Sequence, residues 1–417
     1  MVLNILKTWW RVALLASLLA LSACGSESKP GAAPMNFAVQ AGEGQVTITW
    51  DEDPSLTYWI FAAAAPSITT DTYAQFPEAR AIWPVHSPFV LTGLTNGRTY
   101  SFLMNATKNG SGAGPATASI PAVPRPAGGV WTLGSTAGTT DLNGLAYSGY
   151  FMAVGNGGSI QRSTNGKDWT ALTSGTTADL TTIFFDNVRF MVMGNDGKLL
   201  TSSDATNWAV STVPTNVTQR LNHLTSGAGA GVYLAIGNGG TVITSPPDIS
   251  AWTTQTSGTT KNLYHAQYTA NGFIVVGEGG TILTSQDAKT WTAQPSGVTA
   301  DLRGVYYNGS TFVVVGKNGT VLTSTSVITG GKDTSGNVVT APMSWQVNSV
   351  PTTQDLNAVY AVGQFVIGGA NGTILTGSGN GTWTLGTTGG SAAVLDLLNG
   401  AGVYVAVGTG GGTARSY

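Results

Sequence analysis

One pattern of about 40 residues recurs throughout residues 130–417 of this 417-residue chain. Each copy contains a tryptophan, and the seven tryptophans are Trp131, Trp169, Trp208, Trp252, Trp291, Trp345 and Trp383. The intervals between them are 38, 39, 44, 39, 54 and 38 residues, with a mean of 42. A repeat of this period is one supersecondary unit that buries its apolar surface against its neighbours, so the region must form a single array.

Each copy holds four short apolar runs separated by turns, and none shows a sustained helical period. The stretch Phe273-Ile-Val-Val-Gly277-Glu-Gly-Gly280-Thr-Ile-Leu-Thr-Ser285 is representative, with two strand-like runs around a glycine turn. A unit of about 40 residues with four strands is typical of one blade of a β-propeller. The glycine turn occurs seven times, at residues 155–158, 194–197, 237–240, 277–280, 316–319, 368–372 and 408–412.

The two ends of the repeat region indicate how the array closes. The last copy offers only three strands, at residues 393–398, 403–408 and 413–417, while one strand at residues 130–133 precedes the first complete copy. Pairing that early strand with the last copy completes seven blades and removes the open edges. The sequence therefore predicts a seven-bladed β-propeller over residues 130–417.

The N-terminus has the pattern of an export signal. Lys7 and Arg11 precede an apolar run over residues 12–23, too short for a spanning helix and suited to a signal peptide. The run ends in Leu21-Ser-Ala-Cys24, which resembles a bacterial lipobox, and Cys24 is the only cysteine. The resemblance implies a signal peptide over residues 1–23 and lipid on Cys24. An ordinary secretory signal with an incidental cysteine is the alternative.

A mature chain that begins at Cys24 would start with a flexible tether at residues 24–34, rich in small residues and proline. Gly25 stands where an aspartate would favour inner-membrane retention in proteobacterial lipoproteins. The resemblance therefore implies a lipid-anchored protein of the cell envelope, at the outer membrane, either periplasmic or surface-exposed.

Residues 35–123 carry a different all-β pattern. Residues 45–50, Gln-Val-Thr-Ile-Thr-Trp, alternate polar and apolar as a half-buried strand does. Leu94 precedes Tyr100 by six residues, and this stretch resembles the late strands of a fibronectin type III sandwich, in which the tyrosine closes a corner. Trp50 stands where that family has its core tryptophan. The complete prediction is all-β: a fibronectin type III-like β-sandwich acting as a spacer, a linker at residues 124–129, and the propeller.

Three turns preceding a tryptophan resemble the Asp-box of neuraminidase-repeat propellers: residues 163–169, 202–208 and 285–291. Their Asn165, Asp204 and Asp287 can accept hydrogen bonds from the backbone of the same turn, which is a structural role. The whole repeat is also similar to the propeller of photosystem II assembly factors and related bacterial lipoproteins.

The sequence argues against catalysis. The repeat region has five arginines and one glutamate, Glu278, and lacks the arginine-containing opening motif of sialidases. We find no paired carboxylates for glycoside hydrolysis, no nucleophile elbow, no phosphate loop and no His-x-x-His spacing. With 18 basic and 20 acidic residues, nothing indicates a nucleic-acid partner. We therefore expect no cofactor.

Polar residues recur where the innermost strand of each predicted blade begins. In a propeller these positions surround one mouth of the central channel, so together they form a candidate ligand site. They could attract a cation or a basic partner, or each could cap its own turn in solvent. The candidates are Asp141, Asp179, Arg220, Asn262, Asp301, Asp355 and Asp396.

Two histidines occupy one position in consecutive repeats. His223 and His265 each stand two residues after a leucine, so they could face one another near the channel and bind a metal, or simply pack. An insertion at residues 325–342 separates the third and fourth strands of one blade, on the face opposite the aspartates, as a mobile protrusion or a partner contact.

The function predicted from the sequence is binding. The chain is expected to be a lipid-anchored envelope protein whose propeller binds a protein or a glycan without catalysis. Two alternatives stay open: a carbohydrate-active hydrolase of neuraminidase type, and an assembly factor for a membrane complex.

Overall fold

The structure, a computed structural model, describes residues 29–110, 112–135, 138–213 and 217–417. The chain divides into two compact units, residues 1–125 and 126–417. The predicted signal peptide and Cys24 lie outside the described residues. Within the described part of the chain, no helix is both long and apolar enough to cross a bilayer.

The first unit consists of two antiparallel sheets. One has the order β1-β2-β5 and the other β4-β3-β6-β7, and a 3-10 turn spans Tyr73–Gln75. Alternate residues of both sheets, among them Ile48, Ile60 and Phe102, are fully buried in one shared core because side chains of a strand alternate between faces. The strands are β1 (Ala38–Gly42), β2 (Gln45–Thr49), β3 (Thr57–Ala63), β4 (Arg80–Val85), β5 (Phe89–Thr92), β6 (Tyr100–Thr107) and β7 (Ile120–Ala122).

The Tyr100 hydroxyl ties the start of β6 to the chain before it. It accepts a hydrogen bond from the backbone N–H of Thr95 at 3.0 Å and donates one to Glu78 Oε2 at 2.5 Å. Its ring is fully buried in the same core as Trp50, which is 5% exposed.

The second unit contains seven four-stranded antiparallel sheets, as the tryptophan repeat predicts. The first four blades take their strands in chain order. They are β9 (Leu142–Tyr147), β10 (Phe151–Gly155), β11 (Ile160–Ser163) and β12 (Thr170–Leu172); β13 (Leu180–Phe185), β14 (Phe190–Gly194), β15 (Lys198–Ser202) and β16 (Ala209–Thr212); β17 (Leu221–Gly227), β18 (Val232–Gly237), β19 (Val242–Ser245) and β20 (Thr253–Gln255); and β21 (Leu263–Thr269), β22 (Gly272–Gly277), β23 (Ile282–Ser285) and β24 (Thr292–Gln294).

The last three blades continue the same order, except that the seventh borrows its outer strand from the start of the unit. They are β25 (Leu302–Tyr307), β26 (Phe312–Gly316), β27 (Val321–Ser324) and β28 (Gln346–Asn348); β29 (Leu356–Val362), β30 (Gln364–Gly369), β31 (Thr373–Gly377) and β32 (Trp383–Thr387); and β33 (Val394–Gly400), β34 (Val403–Gly408) and β35 (Thr413–Ser416), with β8 (Thr132–Leu133) beside β35.

Pairing between β8 and β35 closes the ring, and this prediction is confirmed. Leu133 pairs with Ala414 and Thr132 with Arg415, in antiparallel register. The first strands of consecutive blades pack on one another all the way round, with β33 returning to β9. These first strands therefore form the inner wall of a closed channel.

Residues 126–129, inside the predicted linker, belong to the propeller unit. Ala127 is buried, and its carbonyl accepts a hydrogen bond from Gln364 Nε2 at 2.7 Å. The backbone N–H of Gly128 donates to Ser416 Oγ at 3.1 Å. The segment thus reinforces the junction at which the ring closes.

A 3-10 turn joins the second and third strands of every blade, in agreement with the seven predicted glycine turns. The second strand always ends in glycine, and a Cβ there would lie 1.7–2.3 Å from the backbone oxygen preceding the same blade's first strand. Only glycine permits this close approach. The turns span Asn156–Gly158, Asn195–Gly197, Asn238–Gly240, Glu278–Gly280, Lys317–Gly319, Ala370–Gly372 and Thr409–Gly411, and a further 3-10 turn at Ala228–Ala230 lies between β17 and β18.

The insertion lies between β27 and β28, the third and fourth strands of blade five, as predicted. Ile328 and Met343 are buried in the core shared by blades four and five, and the Met343 backbone N–H donates to Gln294 Oε1, in β24 of blade four, at 2.9 Å. Lys332 pairs with Val338 in an isolated antiparallel bridge. Both ends of the insertion are therefore anchored between blades four and five.

Candidate functional site

Six of the seven candidate ligand residues lie on one end of the propeller, and Asp396 lies inside β33. We call this end the turn face, meaning the seven 3-10 turns together with the loops that lead into the first strands. Most of the predicted residues accept a hydrogen bond from a backbone N–H of the preceding blade's turn. The bonds are Gly157 to Asp179 (2.9 Å), Gly239 to Asn262 (3.0 Å), Gly279 to Asp301 (2.9 Å), Asn318 to Asp355 (3.0 Å) and Gly410 to Asp141 (2.8 Å).

These side chains therefore join neighbouring blades, and Asp141 and Asp179 also accept from Asn156 and Asn195 of their own turns. The turn of the same blade is bonded by the backbone: the carbonyl of Asp141 accepts from Asn156 N–H at 3.0 Å. The Asp141 side chain bonds both turns: Oδ1 accepts from Gly410 N–H in the last blade, and Oδ2 accepts from Asn156 Nδ2 at 3.3 Å in its own blade. Five of the seven predicted positions thus bond to the turn of the preceding blade.

Two blades depart from this pattern. Arg220 has only donors and cannot accept from a turn N–H; its Nε donates to Asn222 Oδ1 at 3.2 Å. In the last blade the equivalent position is Ala393, because Val394 is the residue that aligns with the buried leucines. The placement of Asp396 at the opening of this strand was wrong: it lies three residues after Ala393, inside β33, and its register position is that of His223 and His265 in the earlier blades.

Positive side chains offset the carboxylates on the turn face. Lys317 Nζ lies 2.6 Å from Asp301 Oδ2, and Arg303 Nη2 lies 3.3 Å from Asp355 Oδ2. The hydrogen bond from Lys317 is the main reason that the pKa of Asp301 is lowered. The carboxylates therefore do not form an unopposed ring of negative charge.

His223 and His265 lie side by side, as their equivalent repeat positions predict. Their ring centroids are 3.8 Å apart, with 38° between the ring planes. Burial lowers the pKa of His265 to about 4, and burial together with the neighbouring His265 lowers that of His223 well below its usual value. Both rings are therefore neutral at pH 7.

Asp396 occupies the same register position in blade seven that the histidines occupy in blades three and four. Its Oδ2 accepts from Leu145 N–H at 2.7 Å, and its Oδ1 accepts from Leu397 N–H at 2.8 Å. Burial raises its pKa to about 7 despite these bonds. The side chain therefore carries a partial charge at neutral pH.

A cavity of about 250 Å³ opens on the turn face at blade seven. It lies between the loop at residues 388–394 and strands β34, β35 and β8, and small residues line it, including Ala393, Ala406 and Ala414. The register places Ala414 where the other six blades have glutamine, leucine or isoleucine. The sequence analysis missed this cavity, although a small residue at one copy of a large repeat position was a visible signal.

The three turns that resemble the Asp-box, at residues 163–169, 202–208 and 285–291, form the backbone hydrogen bonds predicted for them. Asn165, Asp204 and Asp287 each accept two backbone N–H donors from their own turn, at 2.8–2.9 Å. Among the described residues, no group of three or more histidine, cysteine, aspartate or glutamate side chains is arranged to hold a metal.

The chain is similar in fold to solved β-propellers. YCF48 from Cyanidioschyzon merolae matches with TM-score 0.57 at 11% identity, over 69% of this chain and 98% of that one. YCF48 bound to D1 peptide matches with TM-score 0.56 at 13% identity, over 69% and 94%. The WD40 β-propeller domain of Doa1 matches with TM-score 0.52 at 12% identity, over 69% and 97%. No protein-family model and no curated protein matches the chain.

Proposed function

We propose that the propeller binds an extended segment of a protein partner on its turn face, with one apolar side chain entering the blade-seven cavity. The observation that carries this proposal is the cavity itself. Six blades fill the position of Ala414 with a larger side chain, and the one that does not is open at the turn face. A half-open apolar pocket of this size accommodates one aliphatic or aromatic side chain.

Polar groups around the cavity suit a peptide backbone. Its rim includes Thr388 and Ser391 along with glycines of the loop and turn, which offer hydroxyl and backbone donors and acceptors. The neighbour YCF48 was solved with a bound D1 peptide, and this supports a protein ligand for a propeller of this kind. That the ligand is a protein, and that the chain helps to assemble a membrane complex, are both parts of this proposal.

The test is selection of short random peptides on the purified protein, followed by titration of the enriched sequences. We expect enrichment of peptides with a leucine, phenylalanine or methionine anchor. Ala414→Leu fills the cavity with the residue that other blades carry and should weaken binding at least about tenfold, because burial of such an anchor contributes about 1.5–3 kcal/mol.

The matched control is Val362→Ser, which removes an exposed apolar side chain at the far end of β29, on the opposite face. It should leave peptide affinity unchanged. Equal binding by the wild type and Ala414→Leu would overturn the proposal. Binding of glycans in place of peptides would indicate a glycan-binding protein. Turnover of sialosides or other glycans would indicate a hydrolase.

We also propose that the chain is anchored in the cell envelope through lipid on Cys24 and that the first unit is a fibronectin type III-like spacer. The lipobox-like residues 21–24 support the first. The order of the two sheets and the Tyr100 corner support the second. Labelled fatty acid should be incorporated by the wild type and not by Cys24→Ser; equal labelling of the two would overturn the anchor.

A further inference from the structure

The outward face of the sheet β4-β3-β6-β7 in the first unit carries an exposed aromatic platform. Tyr58 and Ile60 of β3 face the shared core, so Trp59 and Phe61 of the same strand face outward. Trp59 stacks on Trp83 of β4, with ring centroids 4.2 Å apart and 4° between the planes, and lies nearly parallel to Phe61 at 6.4 Å. Trp83 is 56% exposed. We call Trp59 and Trp83 the tryptophan stack; its exposure indicates a surface that another molecule covers.

The chain enters the first unit close to the tryptophan stack. Ala106 of β6 is paired with β3 next to Trp59, and its carbonyl accepts a hydrogen bond from Gly114 N–H at 2.9 Å. Pro30 packs so closely on Gly114 that a Cβ there would lie 2.7 Å from the Pro30 carbonyl oxygen. Neighbouring extended segments lie about 4.8 Å apart, so Pro30 is within roughly 20 Å of the strand that carries Trp83.

The distance from this point to the proposed lipid is short. Cys24 precedes Lys29, the first described residue, by five residues, and an extended chain of that length spans at most about 18 Å. Lipid on Cys24 would therefore hold this end of the first unit near the bilayer surface. Met35 lies at the same end and is 67% exposed; its carbonyl accepts from Asp51 N–H, where β2 leads into β3.

We propose that the tryptophan stack contacts the headgroup region of the bilayer in which the Cys24 lipid is inserted. This inference rests on the proposed anchor and gives a second membrane contact to the unit described above as a spacer. Tryptophan is favoured at a membrane surface because its ring is apolar while its indole N–H can donate to headgroup oxygens. A second contact strengthens attachment, since a single acyl chain by itself binds a bilayer only weakly and reversibly.

The charges at this end of the first unit do not favour anionic lipid. Lys29 and Lys108 are exposed there, and so are the three acidic residues at positions 51–53. Attraction and repulsion therefore nearly cancel, and the contact depends on removal of the indole rings from water. It should form on zwitterionic phosphatidylcholine and should not weaken as salt is raised.

The test uses residues 24–417, which contain every described residue, with one acyl chain coupled to the Cys24 thiol through a maleimide. Cys24 is the only cysteine, so the coupling is specific, and the result does not depend on whether cells attach lipid there. Binding to phosphatidylcholine vesicles is measured by sedimentation. Trp83→Ala should lower the partition coefficient at least about fivefold, because the exposed part of the indole is no longer removed from water.

The control is Val123→Ala. Val123 is also exposed, at 42%, and directly follows β7, whose residue Ala122 pairs with Tyr100 at the opposite end of β6. Its removal takes an apolar side chain from the other end of the same unit. The partition coefficient of Val123→Ala should equal that of the wild type.

Hydroxyl-radical footprinting of the wild type keeps the proposal testable if Trp83→Ala misfolds. Oxidation of Trp83 should fall severalfold when the acylated protein is on vesicles. Oxidation of Trp131, a partly exposed tryptophan of the propeller unit, should stay the same. The comparison needs no substitution, so it reports on the native surface.

Several results would overturn the membrane contact. They are equal partition of the wild type and Trp83→Ala, equal oxidation of Trp83 with and without vesicles, and equal protection of Trp83 and Trp131. Protection of Trp83 without vesicles would overturn it as well: protection that grows with protein concentration would assign the surface to a second copy, and protection by soluble glycans would assign it to a sugar. Failure of cells to label Cys24 with fatty acid would instead overturn the anchor itself.

Discussion

A disulfide across the closing strand pair tests how the ring is held together. Thr132 and Arg415 face one another in the β8–β35 register, and Thr170 and Arg162 are paired in the same way within blade one. Directly paired residues of antiparallel strands have Cα atoms about 4.5–5.5 Å apart, within the range a disulfide spans. The double variants Thr132→Cys/Arg415→Cys and Arg162→Cys/Thr170→Cys, both with Cys24→Ser, are therefore matched in geometry and in the loss of one arginine.

The two bridges differ in the length of chain they enclose. The closing bridge encloses about 284 residues and the blade-one bridge about 9. In the chain-entropy description, these loops correspond to stabilisation of about 5.6 and about 2.6 kcal/mol. The expected difference of about 3 kcal/mol comes from the separation of the two ends of the ring in sequence, since the local geometry is shared.

The assay is urea unfolding of the oxidised and reduced forms of each variant, followed by tryptophan fluorescence. We expect both disulfides to form and the free energy of unfolding to rise more for the closing bridge. Failure of Thr132→Cys and Arg415→Cys to crosslink, under conditions in which the blade-one pair does, would refute the closure. Equal stabilisation by the two bridges would refute the entropic reasoning.

Three further predictions concern single residues. Gly155→Ala should destabilise the propeller by about 3 kcal/mol or more in urea unfolding, because its Cβ would lie 1.9 Å from a backbone oxygen. Gly239→Ala, whose Cβ would lie in open space at φ +64°, should cost only about 1 kcal/mol. Similar losses for the two variants would contradict the steric argument. Asp179→Ala should lower the free energy of unfolding by about 1 kcal/mol in the same assay, because it removes the hydrogen bond from Gly157 N–H. Asp179→Asn should lower it much less, since Asn262 makes the same contact in another blade. Equal losses would show that the charge matters more than the hydrogen bond. The pKa of Asp396 is raised from 3.8 to about 7 in the folded state, so the folded state binds an extra proton between about pH 4 and pH 7 and stability falls as pH rises through that window. Asp396→Asn should therefore leave stability at pH 4 unchanged relative to wild type and raise it by about 4 kcal/mol at pH 8, on the order of 1.4 kcal/mol for each unit of the pKa shift. Equal effects at both pH values would contradict the shift.

The pairing of the two histidines shows how far the repeat alone leads. Equivalent positions of consecutive repeats fall on adjacent first strands, so the sequence predicted that His223 and His265 could meet. It did not predict that both Nδ1 atoms lose their hydrogen-bond partners. That depends on what packs around each ring, and no repeat register contains this information.

The sequence by itself determined the blade count, the glycine turns and the borrowed outer strand, because each follows from a period and from the number of strands left at either end. Only the tertiary structure decided where the polar groups point. Asp141 bonds to a turn in the last blade, 269 residues away in the chain, and Asp396 accepts from the backbone of Leu145 in blade one. The small residue at position 414 is visible in the repeat, but the cavity beside it also depends on how the loop at residues 388–394 packs, which the repeat does not specify.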